Sequence, residues 1–201
     1  IVDSGDQFVK SNPAAGGDGN HQGIVEYCVL EYRTTDNNNY TNGVDVHGGD
    51  GWIVRHNLFR NFLSPPGQGL AGPAVLMWKG SRNSRIEGNT FVNVARGVSL
   101  GLSDWPPGFD HQGGAILNNM FYRDARPGSS VDVPILVADS PGSKVYHNTI
   151  VTRGSYPSAI EYRYPSAAGL EIRNNLSDGA IQARDEATAA LSGNVTSAEP
   201  T

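Results

Sequence analysis

The sequence predicts an all-β solenoid, a stack of coils built from short strands. Three observations point there: a motif that recurs at near-regular intervals, strand-like runs between its copies, and a surplus of turn-forming residues. The motif is an apolar residue, two variable residues, Asn, any residue, then an apolar residue. It reads Val54 to Phe59 around Asn57, Ile86 to Phe91 around Asn89, Ile116 to Phe121 around Asn119, and Val145 to Ile150 around Asn148. An earlier copy, Val25 to Leu30, has Cys28 at the Asn position. Two later copies, around Asn175 and Asn194, end on a polar residue. The key positions are spaced 29, 32, 30, 29, 27 and 19 residues apart. A fixed period of this size marks a repeat architecture, in which no coil buries its own apolar face and stacked neighbours bury it instead.

Between the copies lie runs with period-two alternation, as half-buried strands require. They begin at Gly43, Ala74, Gly97, Pro134, Ala159 and Ala180, and Gln7 to Lys10 is a further member of the series. The alternation places Val44, Val75, Val98, Ile135, Ile160 and Ile181 inward, followed by Val46, Met77, Leu100, Val137, Tyr162 and Ala183. Two outward columns remain. One holds Asp45, Leu76, Ser99, Leu136, Glu161 and Gln182. The other holds His47, Trp78, Gly101, Ala138, Arg163 and Arg184, with Lys10 expected at its head. The recurring Asn suits a coil corner, because it tolerates left-handed backbone and its amide both donates and accepts, so copies in adjacent coils can bond. Cys28 fits as a small replacement at the ladder's end. The only helix-like stretch, Ala183 to Leu191, is weak.

Composition agrees. Of 201 residues, 25 are Gly and 17 are Asn, and only 17% are charged, with Lys limited to positions 10, 79 and 144. Hydrophobic content of 38% sets the chain apart from disordered sequences. A net charge of −5 argues against nucleic acid as the main partner. No apolar stretch is long enough for a membrane-spanning helix. One cysteine forms neither an intrachain disulfide nor a multi-cysteine metal site.

The repeat, together with segments 43–62, 72–102 and 144–151, resembles bacterial right-handed parallel β-helix proteins of the pectate-lyase-like superfamily. The resemblance covers nearly the whole chain. It implies one parallel β-helix domain over residues 1–201, of about six to seven coils, as a fragment lacking N-terminal coils and a cap. It further implies a secreted or periplasmic protein with a polysaccharide partner, and lyase activity by β-elimination on a uronate-containing chain. The alternative is a non-catalytic structural or glycan-binding fragment. Lyases of that superfamily pair a Lys base with an Arg one coil later, beside a Glu-x-Glu calcium site. Lys79 and Arg96 have a similar spacing, but no Glu-x-Glu precedes Lys79, so that site is not assigned. Lys79 reads instead as a strand exit in a Gly80 turn.

Lys10, Asp45, His47 and Trp78 are expected to converge over three coils. An aromatic face carries a sugar ring and a cation holds a uronate carboxylate. Lys10 or His47 would abstract the proton beside that carboxylate, with Asp45 as the third catalytic candidate. Trp78, Arg163 and His111 are the substrate-binding candidates. The insertion from Ser103 to Gly114, with Trp105, Pro106, Pro107, Asp110 and His111, is expected to shape a cleft or to cover Leu76 and Leu136.

No metal site is assigned. Ca²⁺ is the candidate cofactor ion, yet no dense acidic set is present to hold it, and the Gly-Gly-Asp-Gly stretches at 16–19 and 48–51 read as turns. A transition-metal set of Asp45, His47 and His111 is a weaker option. Gly97-Val-Ser99-Leu-Gly101 matches a nucleophile elbow, but no helix can follow through Pro106 and Pro107. Asp45 and Glu161 stand about four coils apart, too far for paired-carboxylate glycoside hydrolysis. An uncapped first coil exposes strand edges, so end-to-end self-association is expected.

Overall fold

In the computed structural model, described for residues 1–15, 17–34, 38–105, 108–124 and 130–196, the chain is a parallel β-helix with no α-helix among those residues. Three seven-stranded sheets run the length of the stack, and every paired strand is parallel to its neighbours. Each coil contributes one strand to each sheet. The first sheet stacks Gln7–Ser11, Asn42–His47, Val75–Trp78, Val98–Leu100, Ile135–Ala138, Ile160–Arg163 and Ile181–Arg184. The second runs from Ile24–Glu26 to Ala189–Ser192, and the third from Val29–Glu31 to Val195–Thr196. The weak helix-like stretch is thus strand at both ends, Ile181–Arg184 and Ala189–Ser192.

The motif is one corner of the coil. Its first apolar residue is the buried centre of a second-sheet strand (Val54, Ile86, Ile116, Val145, Ile172), and its last is the buried centre of a third-sheet strand (Phe59, Phe91, Phe121, Ile150). Phe59, Phe91 and Phe121 stack face to face with centroids 4.9 and 4.6 Å apart. That stack explains Gly43 and Gly97, where a Cβ would lie 2.6 Å from the Phe59 ring and 2.5 Å from the Phe121 ring.

The corner Asn side chains form a continuous ladder. The Oδ1 atom of each Asn accepts both the backbone N–H and the Nδ2–H of the Asn one coil earlier, and each Nδ2 also donates to a second-sheet carbonyl of that earlier coil. For Asn89 these distances are 3.0 Å to Asn57 N, 3.0 Å to Asn57 Nδ2 and 2.9 Å to Val54 O. The same bonds join Asn89 to Asn119, Asn119 to Asn148, Asn148 to Asn175 and Asn175 to Asn194. At the other end Cys28 N–H donates to Asn57 Oδ1 at 2.9 Å, while its thiol turns to Glu26 O. The left-handed residue of this corner is not the Asn but the residue before it: Tyr27, His56, Gly88, Asn118, His147, Asn174 and Gly193 all have φ between 53° and 62° or just above, at 63°. The turn thereby leaves the Asn side chain pointing inward under the adjacent coil.

The strand registers confirm both inward columns and the order of both outer ones, with one correction. Lys10 pairs with Asp45, not with His47, so it heads the other outer column. A second correction concerns exposure. The column Asp45, Leu76, Ser99, Leu136 and Glu161 is buried. Residues just past two first-sheet strands fold back over that sheet. Leu102 and Tyr164 pack with Val133, Leu136 and Ala138 in a satellite core that covers Leu136.

The ladder makes a stability prediction. Asn119→Ala removes one acceptor used by two buried donors and strips its own donors, so it should destabilise the protein by roughly 2–4 kcal/mol. Asn194→Ala, at the ladder's exposed end, should cost about 1 kcal/mol. Urea denaturation midpoints of the two variants check the order, and equal losses would contradict it.

Candidate functional site

The predicted cluster of Lys10, Asp45, His47 and Trp78 does assemble, at the outer face of the first sheet over its first three strands. Asp45 is its centre. Its side chain is almost fully buried, one oxygen accepting from Lys10 Nζ and the other from Trp78 Nε1 at 2.9 Å. A buried carboxylate needs such partners, since burial without them is costly. With both oxygens taken, Asp45 orients its neighbours and does not itself face a ligand.

Lys10 Nζ also lies 2.7 Å from His47 Nε2. An ammonium has only donors, so Nε2 is the acceptor and the imidazole proton sits on Nδ1. The His47 pKa is held below its ordinary value, first by burial and then by the charges of Lys10 and Lys79, against an opposing pull from Asp45. The ring is therefore neutral at pH 7. It meets the Trp78 indole edge to face, with centroids 4.9 Å apart.

Lys79 is the residue that sequence reasoning placed in a turn without a role. It is in that turn, with φ of 54° followed by Gly80 at 85°. The left-handed backbone swings its side chain back, so that Nζ stands 4.5 Å from the Trp78 ring centroid. Two of the chain's three lysines thus act on one imidazole. No motif announces this. Only the adjacency of Lys79 to Trp78 in a strand-exit turn could have signalled it.

The other candidates stand elsewhere. His111 is fully buried and not at the cluster, a correction to its expected substrate-binding place. Its ring joins Ser140 Oγ at 2.8 Å and Ser84 Oγ at 3.1 Å, and its strand pairs with Ser81–Arg82. Asp45, His47 and His111 therefore do not form a metal set, and among the described residues no three His, Cys, Asp or Glu side chains converge. Arg163 lies three register steps beyond Trp78, past Gly101 and Ala138, and is bound to Glu161. Ser99 is buried with its hydroxyl donated to Gly101 O, which removes the nucleophile-elbow reading. Asp50 of the second Gly-Gly-Asp-Gly stretch is held by Arg82 and Asn83 between left-handed Gly48 and Gly51, as a turn. Gly16 of the first stretch, and Pro106 and Pro107 of the insertion, lie outside the described residues.

The insertion is pinned to the sheet by two buried carboxylates. Asp110 Oδ1 accepts Lys79 N–H at 2.6 Å, and its Oδ2 accepts Leu102 and Ser103 N–H at 2.7 and 3.0 Å. Asp139 Oδ2 accepts the N–H groups of Trp105 and Asp110, both at 3.0 Å. The loop thus bridges from the exit of the Trp78 strand to the exit of the Ala138 strand. A separate concavity, at the last coil, is lined by Ile181, Leu191 and Asn194 and carries none of these groups.

No protein-family model matches the chain, and no curated protein does. Among solved structures it is similar to the alginate lyase from Paenibacillus sp. str. FPU-7, at 14% identity over 84% of this chain and 75% of that one, with a TM-score of 0.43.

Burial gives His111 a measurable signature. Its pKa falls from 6.5 to about 3 in the folded protein. The unfolded chain takes up that proton as pH drops through 6.5, whereas the folded ring stays neutral until about 3. Stability contributed by this neutral ring is complete above pH 6.5 and is lost across the window, on the order of 5 kcal/mol in total. Denaturant midpoints between pH 7 and pH 4 should fall more steeply for the wild-type chain than for His111→Gln. Parallel slopes would contradict the assignment.

Proposed function

We propose that this protein binds a uronate-containing polysaccharide at the Lys10–His47–Trp78 face and cleaves it by β-elimination. The observation that carries the reading is a neutral imidazole whose Nε2 accepts from an ammonium, beside an aromatic ring, on an acidic protein with three lysines. A sugar carboxylate arriving at Lys10 competes for that ammonium and releases His47 Nε2. Trp78 offers the apolar surface on which a sugar ring rests.

The reaction proceeds through the groups present. His47 Nε2 takes the proton from the carbon bearing the carboxylate. The electron pair of that C–H bond moves toward the carboxylate, where the Lys10 ammonium stabilises the added negative charge. It then forms the carbon–carbon double bond as the neighbouring glycosidic C–O bond breaks. The departing oxygen takes a proton back from the His47 imidazolium, which restores the neutral ring. Asp45 positions Lys10 and Trp78 and stays out of contact with the sugar. The site belongs to a secreted or periplasmic protein in this reading.

One observation favours a second reading. Lys10 already bonds both Asp45 and His47, an arrangement that serves anion binding without turnover.

The two readings separate when the protein is incubated with a panel of uronate polysaccharides. Formation of unsaturated uronate, followed by ultraviolet absorbance, is expected. His47→Ala and Lys10→Ala should each lower it by about 10²-fold or more. Activity should decline on acidification only below the ordinary imidazole range, because the His47 pKa is lowered. Retardation in polysaccharide affinity gels with no product would leave the binding reading, and folded protein giving neither result would sink both.

A further inference from the structure

The far end of the same outer face carries a second charged cluster. Glu161, in the column of Asp45, is buried, and both its oxygens face guanidinium groups: Arg163, and Arg184 at 3.4 Å. Arg163 and Arg184 are register partners in adjacent coils, about 4.8 Å apart along the stack. Arg96 lies close enough to feel both Arg163 and Glu161, and is itself paired with Asp132 at 3.0 Å. Within these pairs, three guanidiniums share two carboxylates. Arg184 carries most of the unused donor capacity. Its side chain is 47% exposed, and Glu161 is its one contact among the described residues.

Between this cluster and the Lys10 site lies the insertion. Its anchors, Lys79 N–H at one side and Asp139 at the other, span that interval, because Asp139 directly follows Ala138, the register partner of Arg163. On this bridge Trp105 and Phe109 are 42% and 41% exposed. Exposed aromatic rings set between two cationic ends match a polymer of anionic sugars, which alternates apolar ring faces with carboxylates.

We infer that the first sheet is a two-anchor track, in which Arg163 and Arg184 hold a second carboxylate of the same acidic polysaccharide chain and the Trp105 and Phe109 side chains support the sugars in between. This deepens the functional reading above and rests on it. The seven strands of the sheet make six steps, so the track from Lys10 to Arg184 is roughly 29 Å long. A chain that reaches both ends gains affinity through effective concentration, and a short one does not.

The test compares uronate trimers with long chains of the galacturonate, mannuronate and glucuronate series, at one fixed low salt concentration. In the wild-type protein the long chain of the preferred series should bind about 10²-fold more tightly than its trimer. Part of any such ratio is statistical, so the decisive readout is its change in Arg184→Gln and Trp105→Ala. Both residues are exposed, and circular dichroism checks that the variants fold. The ratio should fall at least several-fold in each. A ratio near one in the wild type, or a large ratio kept by both variants, overturns the track while trimer binding preserves the functional reading. If neither trimers nor long chains bind, the functional reading fails and the track fails with it.

Discussion

The amide-to-amide hydrogen bond at the inner corner of each coil is the constraint on which this structure rests. A coil must turn sharply between its second and third strands, and the backbone N–H at that corner points into a space shut off from water. One Asn carbonyl from the next coil satisfies that N–H and the neighbouring amide together. The corner geometry then repeats at each level. That repetition aligns the Phe59–Phe91–Phe121 stack on one side and the first-sheet columns on the other. The placement of Lys10, Asp45, His47 and Trp78 on successive coils follows from the same alignment.

The coil architecture is legible in the sequence because one side-chain chemistry recurs at one structural position. The left-handed role at the corner is not legible, since Tyr27, His56 and His147 share it with Gly and Asn and show no common type. Lys10 was displaced by one column for a plain reason. A slip of two residues keeps Val9 inward and Lys10 outward, so alternation alone cannot tell the two registers apart. The pairing of Val9 with Val44 settles it.

Burial of the Asp45 column was hidden for a different reason. Alternation separates two faces of a sheet but does not say what lies over the outer one. That depends on the connections, whose conformation follows from contacts such as the Asp110 and Asp139 carboxylates with loop N–H groups. The same ignorance concealed His111. A histidine next to an aspartate in an insertion looks exposed, yet two serines from different coils enclose its ring. The charged cluster was readable in membership but not in hierarchy. Asp45 organises it from beneath, and Lys79 joins it through a backbone turn.

The ladder has a direction. Each Asn offers its oxygen to the coil before, every ladder Asn ahead of Asn194 gives its backbone N–H and one Nδ2–H to the Asn after, and Cys28 begins the series with a donor but no amide oxygen. Any interior coil is therefore interchangeable with its neighbours as far as the corner is concerned. Duplication or deletion of a whole coil between Asn57 and Asn175 would leave each corner donor with an acceptor. The fold can thus change length as an inheritable variable, in increments of about 4.8 Å, without rebuilding either end. The stack is cut to length like a tape, while each corner keeps the same bonds.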